Sequence, residues 1–179
     1  KIRDYFGDGE KFGIHIRYSV NPVEYNNGMR VREAASMLEE NFLLLYGDVY
    51  WPMNLEVMVQ HYQNLKKPAM LTIYDNRNGD GEYPSGNITV SANNLITYYD
   101  DFPILIRDGI VGRYLDIGFC IIEKKLLAFM PKEDFEFQRG FLGALIKRGL
   151  LGANITKTTY TAITNLELLA KTGKYFKKY

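Results

Sequence analysis

The sequence predicts an α/β domain in which helices flank a central, mostly parallel β-sheet. Strand-like and helix-like segments alternate along the chain, which favours a layered α/β architecture. Some of the strand-like segments are continuously apolar, as strands buried on both faces of a parallel sheet are. The chain has 179 residues, of which 46% are hydrophobic and 24% charged, so it can bury the core of one domain.

The first unit of this fold is predicted between residues 42 and 74. Phe42–Tyr46 is a continuously apolar run, which we interpret as a strand buried on both faces. A helix with Asn54 as its N-cap follows, because apolar side chains recur at helical spacing from Leu55 to Tyr62. Ala69–Tyr74 is the second buried strand, and the three segments have the length of a right-handed βαβ crossover.

The rest of the chain is predicted to add a hairpin, two strands and three helices. Asn93 and Asn94 form a hairpin turn between strands at Asn87–Ser91 and Leu95–Tyr99. The remaining predicted strands are Gly112–Ile122 and Leu150–Thr158, and the helices are Glu123–Phe129, Phe135–Lys147 and Asn165–Phe176. Ile2, Tyr5 and Phe6 have the spacing of the end of an amphipathic helix, so we expect the chain to begin inside a fold.

Composition argues against two classes of partner. The net charge of +1 supplies no basic field that would favour nucleic acid. No apolar stretch approaches the roughly 18 residues that a membrane-spanning helix requires, so we expect no membrane partner. The single cysteine, Cys120, lies within an apolar run and is predicted to be a buried, inert thiol. Because one cysteine cannot form an internal disulfide, the sequence is typical of a protein from a reducing compartment, and we expect a cytoplasmic protein.

The strongest candidate for a functional residue is Asp48. It comes with Gly47 directly after the first predicted strand. Ligand clefts of open α/β sheets form beyond the carboxyl ends of strands, and a carboxylate there can hold Mg²⁺ against phosphate oxygens. The spacing is equally typical of an aspartate that caps a turn before Pro52, and the pattern alone leaves both interpretations open.

Several segments resemble the sugar-1-phosphate nucleotidyltransferase superfamily, whose members join a sugar 1-phosphate to a nucleotide and release pyrophosphate. Tyr5–Ser19 resembles the family segment YFGDGSKFGVKIxYS, and Leu44–Val49 is similar to LVLNGDV. Ser85–Ile88 and Tyr114–Gly118 are similar to SGNV and YIDYG, the forms of the heptose-1-phosphate guanylyltransferase-like branch. The resemblance implies a Rossmann-like three-layer sandwich over residues 1–179.

The resemblance also implies substrates, a cofactor and a site. The substrates are a nucleoside triphosphate and a sugar 1-phosphate, and the cofactor is Mg²⁺. The residue matched by Asp48 holds that metal against the α-phosphate, whereas Gly86 and the backbone around Gly118 match positions that face the sugar. The complete set of implied site residues is Gly47, Asp48, Gly86, Asp101, Asp116 and Gly118.

The sequence departs from the family at several functional positions. Asp101 aligns with a lysine that meets the sugar phosphate, and Ala162 aligns with a second metal-binding aspartate. Met29 and Arg30 replace small residues that let the base approach the backbone. The family's glycine-rich GGxGTRL segment has no counterpart, so we expect the first βα unit to be missing and these 179 residues alone not to catalyse the transfer.

Three functions remain open at this stage. The chain can be part of a transferase whose glycine-rich loop comes from a preceding segment or from a second copy in a homo-oligomer. It can instead be a transferase-like domain that has lost catalysis and serves binding or assembly. A glycosyltransferase of related fold is the third, although Asp48-Val49-Tyr50 provides just the first acid of the usual Asp-x-Asp motif.

Overall fold

The structure is a computed structural model that describes residues 1–78, 86–99 and 114–176, with the backbone alone for Tyr98, Lys171 and Tyr175. The strands are β1 (Asn41–Leu45), β2 (Val49–Tyr50), β3 (Ala69–Asp75), β4 (Ile88–Val90), β5 (Ile96–Tyr99), β6 (Tyr114–Glu123), β7 (Leu151–Thr156) and β8 (Thr161–Ala162). The α-helices are α1 (Ile2–Phe6), α2 (Asn27–Glu33), α3 (Leu55–Leu65), α4 (Gly143–Lys147) and α5 (Leu166–Phe176). A π-helix covers Phe137–Leu142, and 3₁₀-helices cover Glu10–Phe12, Ala35–Met37 and Lys124–Phe129.

The main sheet is built around β6 and has the order β5-β4-β6-β3-β7, while β1 also pairs with β6. Ile122 of β6 is the register partner of Phe42 in β1 and of Ala69 in β3, so β6 lies between these two strands. Both pairings are antiparallel, so β1 and β3 run parallel to each other as near neighbours. Their predicted proximity is therefore confirmed.

The prediction of a mostly parallel sheet is wrong. Among the described strands β3 and β7 form a parallel pair, whereas the other pairings in this sheet are antiparallel. The reason is that β6, which comes later in the chain, is inserted between β1 and β3. A continuous apolar run indicates burial on both faces, and it carries no information about the direction of the neighbouring strand.

Burial differs between the two strands that the sequence predicted to be alike. All seven residues of β3 are buried, because β3 has β6 on one side and β7 on the other. The residues of β1 are half-buried in the middle and exposed at both ends. Its predicted burial on both faces is therefore wrong, and within the described residues β1 is an edge strand that pairs with β6 alone.

Two apolar clusters cover the two faces of the sheet and make the fold three-layered. Met58 of α3 packs with Met70 and Ile117 on one face. On the other face, Leu71 and Ile122 pack against side chains of the π-helix and α4, namely Phe137, Phe141, Leu142 and Leu145. Alternation along β3 and β6 sends successive side chains to opposite faces, which produces the two clusters.

Several local predictions are confirmed in type and approximate bounds. Asn54 caps α3, since its side chain accepts a hydrogen bond of 3.1 Å from the Val57 amide. Asn94 has a φ of 54° in the turn between the antiparallel strands β4 and β5. The predicted helix over Phe135–Lys147 begins as a π-helix and continues as α4, and Glu123–Phe129 is mostly a 3₁₀-helix. No helix among the described residues is long and apolar enough to cross a membrane.

Candidate functional site

Asp48 lies in the connection that leaves the carboxyl end of β1. The short strand β2 begins at the next residue, Val49, which is the register partner of Ala162 in β8. The amide of Ile163 donates a hydrogen bond of 2.8 Å to the backbone oxygen of Asp48. This pairing fixes the backbone of Asp48 while its side chain remains exposed. Within the described residues, the carboxylate forms no hydrogen bond or ion pair, which leaves it accessible to a cation.

Gly118 holds the backbone on the other side of the site. Its carbonyl accepts a hydrogen bond of 3.0 Å from the Tyr46 amide, two residues before Asp48. Gly118 has a φ of 78°, and a Cβ there would lie 2.5 Å from Cδ2 of the Tyr46 ring. A side chain at this position would therefore be strained and would also displace Tyr46. The glycine allows the tyrosine ring to pack directly on the β6 backbone.

Asp116 supports the same stretch of backbone. Its Oδ1 accepts a hydrogen bond of 2.7 Å from the Gly118 amide, and its Oδ2 accepts one of 3.0 Å from the Tyr99 hydroxyl. The register of β3 against β6 shifts at this point, between Thr72 and Ile73. Because both carboxylate oxygens bond within the chain, the geometry gives Asp116 a role in shaping the sheet at the site.

Two adjoining clefts open around these residues. The first, which we call the acid cleft, has a volume of about 420 Å³ and contains Asp48 and Gly47 in its wall. Its other lining residues are Asn27, Val31, Leu44, Leu45, Tyr46 and Phe137. Most of these are apolar side chains, so Asp48 is the negatively charged group of this cleft. The acid cleft thus offers one carboxylate beside an apolar wall.

The second, which we call the polar cleft, has a volume of about 560 Å³. It is lined by Tyr25, Asn26, Asn27, Asn87, Tyr99, Glu136, Gln138 and Arg139. Amide and phenol groups dominate this lining, and such groups both donate and accept hydrogen bonds. Asn27 lines both clefts, so the two spaces are adjacent. Among the residues that the structure describes, the buried Oδ1 of Asn87 finds no hydrogen-bond partner.

The remaining predicted site residues lie at different distances from these clefts. Gly86 is buried and immediately precedes Asn87, whose amide donates a hydrogen bond of 2.9 Å to the Tyr114 carbonyl. Asp101 lies outside the described residues. Gly47 and Asp48 line the acid cleft, whereas Asp116 is joined to the polar cleft through Tyr99.

Sequence reasoning missed the side chains that form the polar cleft. Asn27, Gln138 and Asn87 belong to segments far apart in the chain, and each amide alone is typical of an ordinary surface residue. Tyr99 was predicted as the last residue of a strand, and in the structure its hydroxyl bonds to Asp116. The signal that could have found the cleft is the occurrence of asparagines at Asn26-Asn27 and at Asn87, the last of which lies within the Ser85–Ile88 segment that resembles a family motif.

Within the part of the chain that the structure describes, a metal site in this region would depend on one carboxylate, that of Asp48. Among the described residues no group of three or more histidine, cysteine, aspartate or glutamate side chains could hold a metal ion. Ala162, beside Asp48, supplies no ligand. Mg²⁺ is nevertheless commonly held by one or two carboxylates together with substrate phosphates and water. Asp48 fits such a site, in which bound phosphates would complete the coordination.

Other reactive side chains are engaged elsewhere. Nδ1 of His61 lies 2.7 Å from Oδ1 of Asn154, and Nδ2 of Asn154 donates a hydrogen bond of 3.1 Å to Thr72. These groups join α3 to the sheet, so His61 has a structural role. Cys120 is buried, and its burial raises the pKa of the thiol well above the ordinary range. The prediction of a buried cysteine is confirmed.

Known structures with the same architecture include sugar nucleotidyltransferases. HddC from Yersinia pseudotuberculosis, a heptose-1-phosphate guanylyltransferase, matches with a TM-score of 0.74 and 17% identity over 98% of this chain and 73% of its own. Its complex with GMP-PN matches with a TM-score of 0.75 and 16% identity over the same shares. This chain has the sugar nucleotidyltransferase fold.

A further structure with that fold comes from Bacillus anthracis. It is a putative glucose-1-phosphate thymidylyltransferase in complex with sucrose, with a TM-score of 0.71 and 17% identity over 97% of this chain and 70% of its own. In sequence comparisons, no protein-family model and no curated protein matches the chain. The similarity therefore lies in the three-dimensional structure, and at these identities it establishes the fold.

Proposed function

We propose that this chain forms the metal-binding and sugar-binding part of a sugar-1-phosphate nucleotidyltransferase. The observation that carries the proposal is the exposed Asp48 carboxylate, which lies in the acid cleft next to a larger cleft lined by amides and phenols. A transferase of this kind needs an anionic group for Mg²⁺ and, beside it, polar groups for a sugar. The shared fold and the resemblance of Leu44–Val49 to the family's metal-binding segment support the same assignment.

In the proposed reaction, an oxygen of the sugar 1-phosphate attacks the α-phosphorus of the nucleoside triphosphate. The new bond joins the two phosphates, the bond from the α-phosphorus to the bridging oxygen breaks, and pyrophosphate leaves. Such a transfer depends on charge neutralisation and in-line positioning more than on a covalent catalyst. Asp48 would hold Mg²⁺, and the metal would supply the charge that neutralises the phosphate oxygens.

The polar cleft would hold the sugar in this proposal. Hydroxyl groups of a sugar donate and accept hydrogen bonds, and the amides of Asn27, Asn87 and Gln138 can do both. Oδ1 of Asn87, which has no partner within the described residues, would gain a hydroxyl donor, and this would offset the cost of its burial. Among the described lining residues Arg139 is the cation, and it pairs with Glu136 of the same cleft at 3.7 Å. A sugar phosphate would share this guanidinium, which makes Arg139 the candidate to replace the family's lysine.

One observation favours a second candidate function. Ala162 lies beside Asp48 where the family has a second metal-binding aspartate, so the chain would bind Mg²⁺ with one carboxylate fewer. A weaker metal site is compatible with a domain that binds nucleotide or sugar without catalysing the transfer. Both candidates predict ligand binding in the clefts, and they differ in whether pyrophosphate is released. A cytoplasmic location belongs to the proposal in either case.

The two candidates can be separated by one pair of experiments. Calorimetric titration with GTP and Mg²⁺ comes first, because GMP-PN is the nucleotide in the HddC complex, and the other three nucleotides and a panel of sugar 1-phosphates follow. We expect saturable binding that requires the metal and is lost in Asp48→Ala. Release of pyrophosphate would identify a transferase. Because we expect these 179 residues alone not to catalyse the transfer, binding without release identifies a binding domain when a chain supplied with the glycine-rich segment also releases no pyrophosphate. Absence of any binding by the wild-type chain would reject both.

A further inference from the structure

Three side chains form a continuous hydrogen-bonded bridge across the site. Nε2 of Gln138 donates a hydrogen bond of 2.5 Å to the Tyr46 hydroxyl, and Nδ2 of Asn27 donates one of 3.3 Å to Oε1 of Gln138. Oδ1 of Asn27 accepts a hydrogen bond of 2.8 Å from the Phe137 amide. The bridge consists of Asn27, Gln138 and Tyr46. It joins the start of α2, the π-helix and the end of β1, which are up to 111 residues apart.

The bridge stands between the two clefts. Tyr46 lines the acid cleft, Gln138 lines the polar cleft, and Asn27 lines both. A ligand that contacts Gln138 in the polar cleft therefore meets a side chain that also bonds to the Tyr46 hydroxyl. Tyr46 in turn is held on its far side, because its ring packs on Gly118. The side chain has little freedom to move unless Gln138 moves with it.

The local backbone adds a second observation. Gln138 lies in a π-helix, a rare conformation that occurs frequently at functional sites. Within this π-helix, Phe137 packs in the apolar core and Gln138 lines the cleft. Asn27 engages the first amide of this π-helix, so the same asparagine fixes both the backbone and the side chain of the segment.

We propose that the bridge is a positioning device that couples the polar cleft to the metal-binding segment. A sugar 1-phosphate in the polar cleft contacts Gln138 and holds the bridge in place. Because Tyr46 immediately precedes Gly47 and Asp48, a fixed Tyr46 favours the backbone position from which Asp48 meets a metal-bound nucleotide. Gln138 and Tyr46 are thus positioning residues. This inference rests on the proposed function, since it assigns the sugar to the polar cleft and the metal to Asp48.

Coupling of this kind is a measurable free energy. If a sugar 1-phosphate tightens nucleotide binding by some factor, the nucleotide must tighten sugar 1-phosphate binding by the same factor. We expect glucose 1-phosphate to strengthen binding of Mg²⁺ with the α,β-methylene analogue of GTP by about fivefold or more in the wild-type chain. The analogue prevents turnover, so calorimetry reports binding alone.

Variants of the two ends of the bridge test the inference. Tyr46→Phe keeps the ring on Gly118 and removes the hydroxyl, whereas Gln138→Met keeps the approximate size and removes the amide. Each variant and the double variant should reduce the enhancement to less than about twofold. In Tyr46→Phe both ligands should still bind separately, whereas Gln138→Met should also weaken binding of the sugar 1-phosphate, because the Gln138 amide lines the polar cleft. The matched control is Tyr18→Phe, since the Tyr18 hydroxyl donates a bond of 2.6 Å to the Gly7 carbonyl outside both clefts. An enhancement that persists in Tyr46→Phe would overturn the inference.

A measurement without ligand keeps the bridge testable if the proposed function fails. Trp51 is the single tryptophan, it lies three residues after Asp48, and its ring packs 5.3 Å from that of Phe119. Acrylamide should quench its fluorescence more strongly in Tyr46→Phe and Gln138→Met than in the wild-type chain or in Tyr18→Phe. If the wild-type chain binds no ligand, the proposed function is rejected, and an unchanged quenching constant would then reject the positioning role as well.

Discussion

Asp48 and Asp75 both lie at the carboxyl ends of strands, but the surroundings of their side chains differ. Asp48 follows β1 and Asp75 ends β3, and these two strands run in the same direction. The Asp48 side chain is exposed, whereas that of Asp75 is 4% exposed and pairs with Arg77. The Arg77 guanidinium donates to both oxygens of Asp75, at 2.7 and 2.5 Å.

The difference separates a structural carboxylate from a candidate ligand. Hydrogen bonds from Arg77 hold the pKa of the Asp75 carboxyl below its ordinary value, in spite of burial. The charge of Asp75 is thus neutralised within the chain, and both oxygens are occupied. Asp48 has a fixed backbone and an accessible carboxylate, which is what a cation-binding site requires. Both residues lie at the end of a strand. Their roles therefore depend on whether the carboxylate pairs with a group of the chain, as that of Asp75 does with Arg77.

The largest expected effect concerns the support of the Asp48 segment. Gly118→Ala would place a Cβ against the Tyr46 ring at a residue with positive φ, and we expect a loss of about 2–4 kcal/mol in the free energy of unfolding. Urea denaturation at neutral pH measures it. In the control Gly143→Ala the new Cβ makes an ordinary contact of 3.8 Å in a helix, so stability should not fall. A loss in Gly118→Ala no larger than that of the control would refute the packing argument.

Asp75→Asn should have the next largest effect. The substitution removes a charge-assisted pair from a buried position and should lower the free energy of unfolding by about 1–3 kcal/mol. Asp48→Asn should change it by less than about 0.5 kcal/mol, since an exposed side chain without a partner contributes little. The comparison would fail if the two variants were equally destabilised in the same denaturation experiment.

Acid should remove the contribution of the Asp75–Arg77 pair. The folded-state pKa of Asp75 lies below its ordinary value of 3.8, so the folded state binds this proton less readily than the unfolded state does. The stabilisation is complete above that ordinary value and is lost as the pH falls through the folded-state pKa. The stability difference between wild type and Arg77→Gln should therefore shrink between pH 6 and pH 3. Arg148→Gln, at an exposed arginine over Phe129, should show no such trend.

A smaller loss of stability than at Gly118 or Asp75 is expected at Tyr99, which joins the polar cleft to Asp116. Tyr99→Phe removes one hydrogen bond to a half-buried carboxylate and should cost about 1 kcal/mol in the free energy of unfolding. The Gly118 amide still bonds to the other oxygen of Asp116, so the sheet should remain intact. A loss as large as that of Gly118→Ala would mean that Asp116 depends on Tyr99 more than the geometry indicates.

The sequence was sufficient for elements whose cause is local. The apolar run Ala69–Tyr74 predicted a buried strand, and the position of Asn54 before an apolar helical stripe predicted the cap of α3. Strand direction was not accessible in this way, because it depends on β6, which pairs with segments that precede it by about 40 to 80 residues. The apolar runs of β1 and β3 are compatible with a parallel or an antiparallel neighbour, so they could not predict the direction of β6.

The candidate site also has features with a local cause, which the sequence predicted, and features that depend on distant segments. The placement of Asp48 beyond the end of β1 followed from its position after an apolar run. The bridge of Asn27, Gln138 and Tyr46 could not be predicted, since it joins three segments that meet when the sheet and π-helix form. Arg77 is close to Asp75 in sequence, but their hydrogen bond matters for stability because neighbouring strands bury Asp75. That burial could not be predicted from the two residues alone.

The measurement that tests the central claim most directly is a calorimetric titration of GTP with Mg²⁺ into three proteins. These are the wild-type chain, Asp48→Asn and Asp75→Asn, all studied at pH 7, where Asp75→Asn should still be folded. The account predicts metal-dependent binding to the wild-type chain and to Asp75→Asn, and its loss in Asp48→Asn. Binding to Asp48→Asn with the affinity of the wild-type chain would contradict the assignment of Asp48 as the metal ligand.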